Sequence, residues 1–533
     1  METTTGTDAA PEPAATDNHV HGRRWAILAV VCLAVFVTVL DGTIVNVTLP
    51  TLATELSAST RELQWIVDAY LLVFTGLLLA AGGLGDRYGR KRALVVGLVL
   101  FGLTSAYAGS AGSAGELITG RALMGIGAAL IFPATLAIIT NVFTDPSERA
   151  KAIGVWSATS GMAVAAGPIT GGWLLEHFWW GSVLYINVPI VVIAVTATVL
   201  LVPESRDEHV PRLDIAGLVL SILAIGALVF TIIEAPEWGW ASASTIAGFA
   251  LSAVLIAAFV VWELRADAPM LPVRIFENLR FSAASVAIAA AFFALFGFIF
   301  LITQYFQLVR GYSPLEAGVR TLPVATAIAV SAVLAPRIVA RVGTTRIVGG
   351  GLALMAIAFT WVSTASAGTP YLEIVGQMIL LGTGLGFTTA PATESIMGSL
   401  SLDKAGIGSA VNDTTRELGG TLGVAVLGSV FSSVYVGALG DGQVFATLPP
   451  EAQRATEDSV GAASIVAARL GELAPAYLTE VSDAFLSGLA IACLVAAAAA
   501  LAGSVFAFRY LPARARDTEA RADEHTIVLE HAN

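Results

Sequence analysis

Apolar residues run along this chain in long blocks separated by charged residues or by Gly and Pro. There are fourteen such blocks, at about 24–48, 62–83, 93–110, 116–140, 151–174, 182–202, 214–233, 244–263, 281–308, 318–340, 346–364, 371–396, 405–435 and 482–509. They reach or approach the roughly 20 residues that carry a helix across a bilayer. A segment in lipid must satisfy its backbone hydrogen bonds internally, and a helix does so. The pattern therefore predicts an all-α integral membrane protein of fourteen transmembrane helices. The first run is long enough to span, and no small-residue cleavage site ends it. It reads as an uncleaved helix behind a disordered cytoplasmic tail, residues 1–22.

With 56% hydrophobic and 13% charged residues and a mean hydropathy of +0.78, the 533-residue chain cannot hide its apolar side chains in one water-soluble core. Cys32 and Cys493 lie inside apolar runs, where a thiol serves as a small hydrophobe, so no disulfide framework or metal cluster is implied. Charge sets the orientation. One set of loops carries Arg23, Arg24, Arg87, Arg90, Lys91, Arg92, Arg149, Lys151 and many more, Arg212, Lys404, Arg514 and Arg516 among them; the other carries only Arg61, Arg310, Arg454 and Arg469. Both termini then face the cytoplasm of a multi-pass plasma-membrane protein. The net charge of -12 would argue against a nucleic-acid partner, which is not expected, if it were uniform, but its distribution matters more: acid gathers in the two tails and in the outer loop 436–481. A surface helix is expected within that loop at 451–471.

An internal repeat suggests the domain plan. LGDRYGRKRAL at Leu84 to Leu94 matches IVARVGTTRIV at Ile338 to Val348, pairing Arg87 with Arg341, Gly89 with Gly343 and Arg92 with Arg346; near the same offset Lys151 meets Lys404 and Gly154 meets Gly408. Chance likeness of Gly/Arg-rich turns is the alternative. Taken as a repeat, it predicts an N-terminal six-helix bundle at 23–202, two inserted linker helices at 203–264, a C-terminal six-helix bundle at 265–510 and a cytoplasmic tail at 511–533. Parallel halves around a central cavity are a common transporter design.

GGLGDRYGRKRAL at Gly82 to Leu94 resembles the loop 2–3 signature of the major facilitator superfamily, with Gly85 where another small residue is usual. LDGTIVNVTLP at Leu40 to Pro50 resembles the helix 1 signature of its fourteen-helix drug/proton antiporters. LITGRALMGIGAA at Leu117 to Ala129 resembles their helix 4 motif, with Met124 in place of Gln. Gly154 to Gly172, ending GPITGG, resembles the antiporter motif of helix 5, with Ala163 replacing one glycine. QLVRGYSPLEAG at Gln307 to Gly318 and GSAVNDTTRELGG at Gly408 to Gly420 extend the likeness over nearly the whole chain. At Trp180-Gly181-Ser182, before Ile186 to Pro189, the sequence departs from the family's usual W-R-W. The resemblance implies a major facilitator fold of two six-helix bundles plus two inserted helices, acting as a monomer with no cofactor. It also implies proton-coupled efflux of drugs, antibiotics or related small organic molecules. Gly82, Asp86, Arg87, Gly89 and Arg90 would be gating residues, and Gly154, Gly167, Pro168, Gly171 and Gly172 would form a motif associated with exporters.

The residues themselves point to where coupling would sit. Ionisable groups in a membrane core cost roughly 2.5–3.5 kcal/mol each on insertion scales, so they are functional candidates. Counting residues along helices 1, 2 and 4 at about 1.5 Å each puts Asp41, Asp68 and Arg121 at one depth in the outer half of the membrane. A movement that changes their separation would bind or release a proton. A structural buried ion pair is the other reading of Asp41 with Arg121, and Asp68 is open to it too. Asp413, Arg416 and Glu417 in helix 13 read first as a local pairing. Trp65, Phe292, Gln304, Tyr305 and Arg320 are expected to line a substrate cavity, although aromatics in such helices are more often packing or interface anchors.

Other classes fit less well. The chain's lysines are Lys91, Lys151 and Lys404, none in a G-x-x-x-x-G-K-[ST] loop, and all six histidines fall outside the expected spans, so an ATP-driven pump, an enzyme or an intramembrane histidine metal site is not indicated. A proton-linked transporter of an endogenous metabolite and a non-transporting membrane receptor remain as alternatives. Richness in Ala, Gly and Val with arginine favoured over lysine points to a GC-rich bacterial genome.

Overall fold

A computed structural model describes residues 15–206, 214–400 and 405–512. Arg212, Lys404, Arg514 and Arg516 lie outside them, as do residues 1–14 and 513–533 of the two tails. The described residues contain fourteen helices long and apolar enough to cross a membrane: α1 (Arg23–Glu55), α2 (Thr60–Tyr88), α3 (Arg90–Gly109), α4 (Ala114–Val142), α5 (Ser147–His177), α6 (Ser182–Leu201), α7 (Ile215–Trp238), α8 (Ala243–Arg265), α9 (Leu279–Val309), α10 (Pro314–Val342), α11 (Thr344–Val362), α12 (Tyr371–Met397), α13 (Gly408–Leu439) and α14 (Gly471–Tyr510).

Local sequence explains several boundaries. Ser59 and Glu62 form a capping box at the start of α2, and Ser313 and Glu316 form one at the start of α10, where Pro314 occupies the first turn. Charges and prolines misled the reading of hydropathy elsewhere. Helix α1 continues through Pro50 to Glu55 instead of stopping near 48. Helix α14 begins at Gly471 instead of 482, because Tyr477 and Val481 are buried although the charged residues Glu472 and Glu480 stand beside them. His177, placed outside the spans by hydropathy, is the last residue of α5 and stacks on Trp173. The outer loop holds two short helices, Pro450–Asp458 and Val460–Ala467, instead of one at 451–471, since the backbone is extended at Ser459.

Within the first six helices α2 and α3 pack on α4, and α1 packs on α5 and α6; within the last six, α9 packs on α13 and α14, α10 on α12, and α11 on α12 and α14. The two sets meet through α5 with α10, α2 with α13 and α1 with α9. These meetings include contacts at the outer ends. Gln64 donates to the carbonyls of Val424 (3.3 Å) and Ala425 (3.1 Å), and Gln307 donates to the carbonyl of Val47 at 2.9 Å.

Helix α7 lies along the α2–α13 seam. Its Val229, Ile232 and Ile233 form a buried apolar cluster with Ala425, and Ser429 donates to the Ile232 carbonyl at 2.8 Å. Arg61 of α2 pairs with Glu234 of α7 at 2.9 Å and also with Glu237.

Candidate functional site

Asp41 and Arg121 are brought together. The Arg121 guanidinium donates to Asp41 Oδ2, and the two side chains are 1% and 0% exposed. A pair so far from water is strongly sensitive to losing one member, because the other charge is then stranded; the cost is about 3–5 kcal/mol. Neighbours fix its geometry. Asn187 donates from Nδ2 to Asp41 Oδ1 at 2.8 Å and is also within 3.0 Å of Ser105 Oγ, which donates to the Leu184 carbonyl at 2.8 Å. Arg121 Nε donates to the Ile66 carbonyl at 3.1 Å, and its guanidinium lies 4.3 Å from the centre of the Tyr70 ring. Both carboxylate oxygens of Asp41 are thereby occupied, one by a cation and one by an amide.

A small void of about 10 Å³ borders Arg121, lined by Thr48, Trp180 and Leu184 among others. That volume is near the minimum for one water molecule, about 10–15 Å³. Trp180, next to the Gly181-Ser182 departure from the family's W-R-W, forms part of the wall.

Asp68 stands apart from this pair. It is 0% exposed, and among the described residues neither carboxylate oxygen has a hydrogen-bond partner. Burying a carboxylate as an anion without such compensation is expensive, so an isolated buried acid calls for an explanation.

The glycines of α5 face two neighbours. A Cβ on Gly171 would lie 2.7 Å from Ile44 Cγ1 of α1, and one on Gly167 would collide with Thr43. A Cβ on Gly172 would lie 2.6 Å from the Pro314 carbonyl, at the start of α10, and one on Gly318 of α10 would strike the Pro168 carbonyl. Backbone cannot yield as a flexible side chain can, so this crossing requires glycine on both helices. Glu176 accepts from the Ser313 hydroxyl beside it. Gly154, nearer the cytoplasmic end, has open space around it.

The sequence profile of the Major Facilitator Superfamily matches residues 31–424. The chain belongs to the major facilitator superfamily. It is similar to the multidrug efflux pump LfrA of Mycolicibacterium smegmatis, 37% identical over 490 residues that cover 91% of this chain and 96% of the relative. It is likewise similar to the tetracenomycin C resistance and export protein of Streptomyces glaucescens, 33% identical over 515 residues, 96% of this chain and 95% of that one. A bacterial homologue of the human lysosomal transporter Spinster, solved inward-facing and unoccupied, superposes with a TM-score of 0.64 over 91% of this chain and 98% of that one, at 18% identity, which bears on the fold alone.

In this member of the superfamily the loop 2–3 signature is tied to its own half. Asp86 accepts from Arg90 Nε at 2.7 Å, and Arg90 N donates to the Ser205 carbonyl at 2.9 Å. Glu204, just beyond α6, accepts from Lys91 N at 3.1 Å and pairs with Arg92 at 3.5 Å. Gly89 turns the chain at φ 117°, where a Cβ would lie 2.6 Å from Glu204 Oε1. Arg87 rests near the Tyr88 ring, and a Cβ on Gly82 would be in ordinary contact with Pro133.

The five residues expected around a substrate do not gather in one place. Trp65 donates to Glu234 at 3.4 Å, against the inserted helix α7. Gln304 bonds to its own helix at the Phe300 carbonyl, 2.9 Å away, and Tyr305 donates to the Ser366 carbonyl at 2.8 Å. Arg320 lies 3.8 Å from the Tyr312 ring centre and pairs with Glu316 at 3.4 Å. Phe292 meets the partly exposed Arg416, whose guanidinium lies 4.8 Å from its ring centre.

Two contributors escaped the sequence reading. Asn187 and Ser105 are polar residues in apolar runs, a weaker signal than a charge. A groove of about 570 Å³ between α10 and α12, lined mainly by apolar residues with Thr326, Thr383, Tyr371 and Phe387, is large enough for a drug-sized molecule.

Proposed function

We propose that this chain exports drugs, antibiotics and related small organic molecules across the plasma membrane in exchange for protons, working as a single chain. The observation that carries the substrate class is the likeness, over at least nine-tenths of both chains, to relatives named for multidrug efflux and for tetracenomycin C export. For the proton, the reading is supported by the burial of Asp41 against Arg121 with both carboxylate oxygens engaged.

The step follows from charge. A proton arriving on Asp41 removes the anion that holds Arg121, leaving the guanidinium to the Ile66 carbonyl and the Tyr70 ring. The preferred separation of α1 and α4 then changes, and losing the proton restores the pair. Asp68, buried without a hydrogen-bond partner among the described residues, is the second acid in this proposal. The loop at Asp86 and Arg90 and the α5 motif at Gly167 to Gly172 are its gating and exporter elements. A central site between the two six-helix halves, alternately exposed, is the transport route.

The test uses inverted membrane vesicles from a pump-deficient bacterial host producing the chain. Acidifying the vesicle interior should drive uptake of ethidium or of members of a panel of antibiotics, and dissipating the gradient should stop it. Absence of gradient-driven movement across the panel would remove the drug-export reading; uptake driven by the opposite gradient would replace it with proton-linked import.

A further inference from the structure

Helix α10 is thinly packed by protein. In its stretch Leu322–Val342 only Ser331 and Ala335 are buried, and the groove it shares with α12 runs from Val319 to Leu334, about 22 Å at the helical rise. Half of a hydrocarbon core roughly 30 Å thick is about 15 Å, so the groove can take an acyl chain of the outer leaflet. Its direction follows from the glycines of α12. A Cβ on Gly386 would lie 2.7 Å from the Ile328 carbonyl of α10, and one on Gly384 would lie 2.7 Å from Met355 Cγ of α11. Ile379, Thr383 and Phe387, at four-residue steps between those two stripes, line the groove. It therefore faces the bilayer between α10 and α11, around the helix from Gly318, where α10 meets α5. Val330 and Ile379 on its walls are 54% and 48% exposed.

A cation stands at the outer end of this groove. The Arg320 guanidinium lies 3.8 Å from the Tyr312 ring centre and 5.5 Å from that of Tyr371, a groove residue whose hydroxyl donates to the Arg320 carbonyl at 3.2 Å. Tyr312 is itself held by Arg310, which donates to its hydroxyl at 3.0 Å. The acids nearby are engaged: Glu316 accepts from Ser313 N at 3.1 Å in the helix cap, and Glu373 accepts from Trp361 Nε1 at 3.0 Å. Among the described residues Glu316 is the anionic partner of Arg320, at 3.4 Å, beyond the about 2.7–3.2 Å of an N–H···O bond. Its side chain is 52% exposed, and an ion pair so open to water is weak.

We propose that the groove between α10 and α12 binds one anionic phospholipid of the outer leaflet, with its phosphate on Arg320 and an acyl chain along Val330, Ile379 and Phe387. A guanidinium stacked on a fixed tyrosine offers planar N–H donors that match two phosphate oxygens. The same charge disfavours a cationic dye, so the groove is no seat for such a substrate. Basic residues are scarce in the outer loops, which carry Arg61, Arg310, Arg454 and Arg469. A cation beside an apolar groove at this level is therefore a localised seat for an anionic headgroup and not part of a uniform attraction. Nothing in this depends on what the chain transports; a bilayer around the helices is enough.

The test uses the full-length chain, purified in detergent and stripped of lipid, titrated with phosphatidylglycerol, with phosphatidylcholine of the same acyl chains, and with inorganic phosphate. Native mass spectrometry counts bound lipid, and a thermal melt follows stabilisation. The first molecule of phosphatidylglycerol should bind about tenfold more tightly than phosphatidylcholine, the difference a charge-assisted hydrogen bond makes. It should also raise the thermal midpoint, whereas inorganic phosphate should not. Arg320→Gln should remove the preference, Arg320→Lys should keep part of it, and Thr383→Trp, which fills the groove, should weaken both lipids about tenfold. Equal binding of the two lipids by the native chain, or a preference that survives in Arg320→Gln, overturns the site. A midpoint raised as far by inorganic phosphate would mark a free-anion site, and ethidium displacing the bound lipid would give the groove to a substrate; either result overturns the lipid assignment. Should Thr383→Trp not fold, the two variants of the partly exposed Arg320 decide alone.

Discussion

Replacing Asp41 with Asn removes the proposed proton site while nearly keeping its shape, and the structure sets the size of the effect. Asp41 accepts from Arg121 through one oxygen and from Asn187 through the other. An amide has one oxygen, so one donor loses its acceptor, and Arg121 is left as a buried cation without a counter-charge. Breaking such a pair costs about 3–5 kcal/mol. The Ile66 carbonyl and the Tyr70 ring continue to hold the guanidinium, which puts the loss toward the lower end. Against a typical stability of about 5–15 kcal/mol, Asp41→Asn should fold with a lowered thermal midpoint. Gradient-driven ethidium uptake into acid-inside vesicles should fall to the rate seen without a gradient, while substrate exchange at equal pH should persist. The double variant Asp41→Asn with Arg121→Gln no longer strands a cation and should regain most of the thermal midpoint without regaining proton-driven uptake. Native uptake by Asp41→Asn under the gradient would refute the coupling role, and recovery of driven uptake in the double variant would show the pair to be structural.

Gly318→Leu should drive the outer ends of α5 and α10 apart, since the new side chain meets the Pro168 backbone; efflux should be lost and hydrogen exchange at those ends should rise, and native efflux would contradict the close-approach argument. Gly89→Ala should lower the thermal midpoint, at a cost of about 1–3 kcal/mol for a non-glycine residue at φ 117°, whereas Glu204→Gln, which weakens an exposed pair worth about 0–1 kcal/mol, should barely move it; calorimetry compares the two. Partial withdrawal from water, followed by the negative charges of Glu237 and Glu62, raises the pKa of Asp458 above the ordinary aspartate value, with Arg61 and Arg454 opposing. An acid whose folded value is raised makes the folded arrangement most favourable at low pH, a contribution lost as external pH rises from the ordinary value through the raised one. Hydrogen exchange at residues 450–467 should therefore increase with external pH over that window, and Asp458→Asn should flatten the dependence.

Much of this arrangement was legible in the sequence because lipid imposes a simple rule. Fourteen apolar blocks gave fourteen helices, and a charge inside a block was conspicuous enough to single out Asp41 and Arg121, which lie 80 positions apart and meet. Depth along a helix was readable from residue counting, but the direction a side chain faces was not. Asp68 shares the depth of that pair without touching it, and Trp65 turns to α7 because the inserted helix covers that face of α2. Asn187 lacked the charge that makes a buried residue stand out. The ends of α1 and α14 were misjudged because Pro50, Glu472 and Glu480 look like breaks, although the outer loop buries the neighbouring apolar residues.

The distribution of charge decides which parts can move cheaply. Among the described residues, the ion pairs lie within one six-helix set or link α2 to α7, whereas the two sets meet through hydrogen bonds, those to the exposed Glu176 carboxylate included, and close packing. Separating these contacts at the outer ends strands no buried charge, so the strongest electrostatic interaction, Asp41 with Arg121, can persist or break independently of the seam. The distance between the two events is short. Thr43 and Ile44, two and three residues beyond Asp41 on α1, are the groups against which Gly167 and Gly171 pack. Gly172, the next residue of α5, rests on Pro314 and Leu315 of α10. A shift of α1 caused by a change of charge at Asp41 is therefore delivered to the crossing of the two halves through glycine contacts that leave no soft side chain to absorb it.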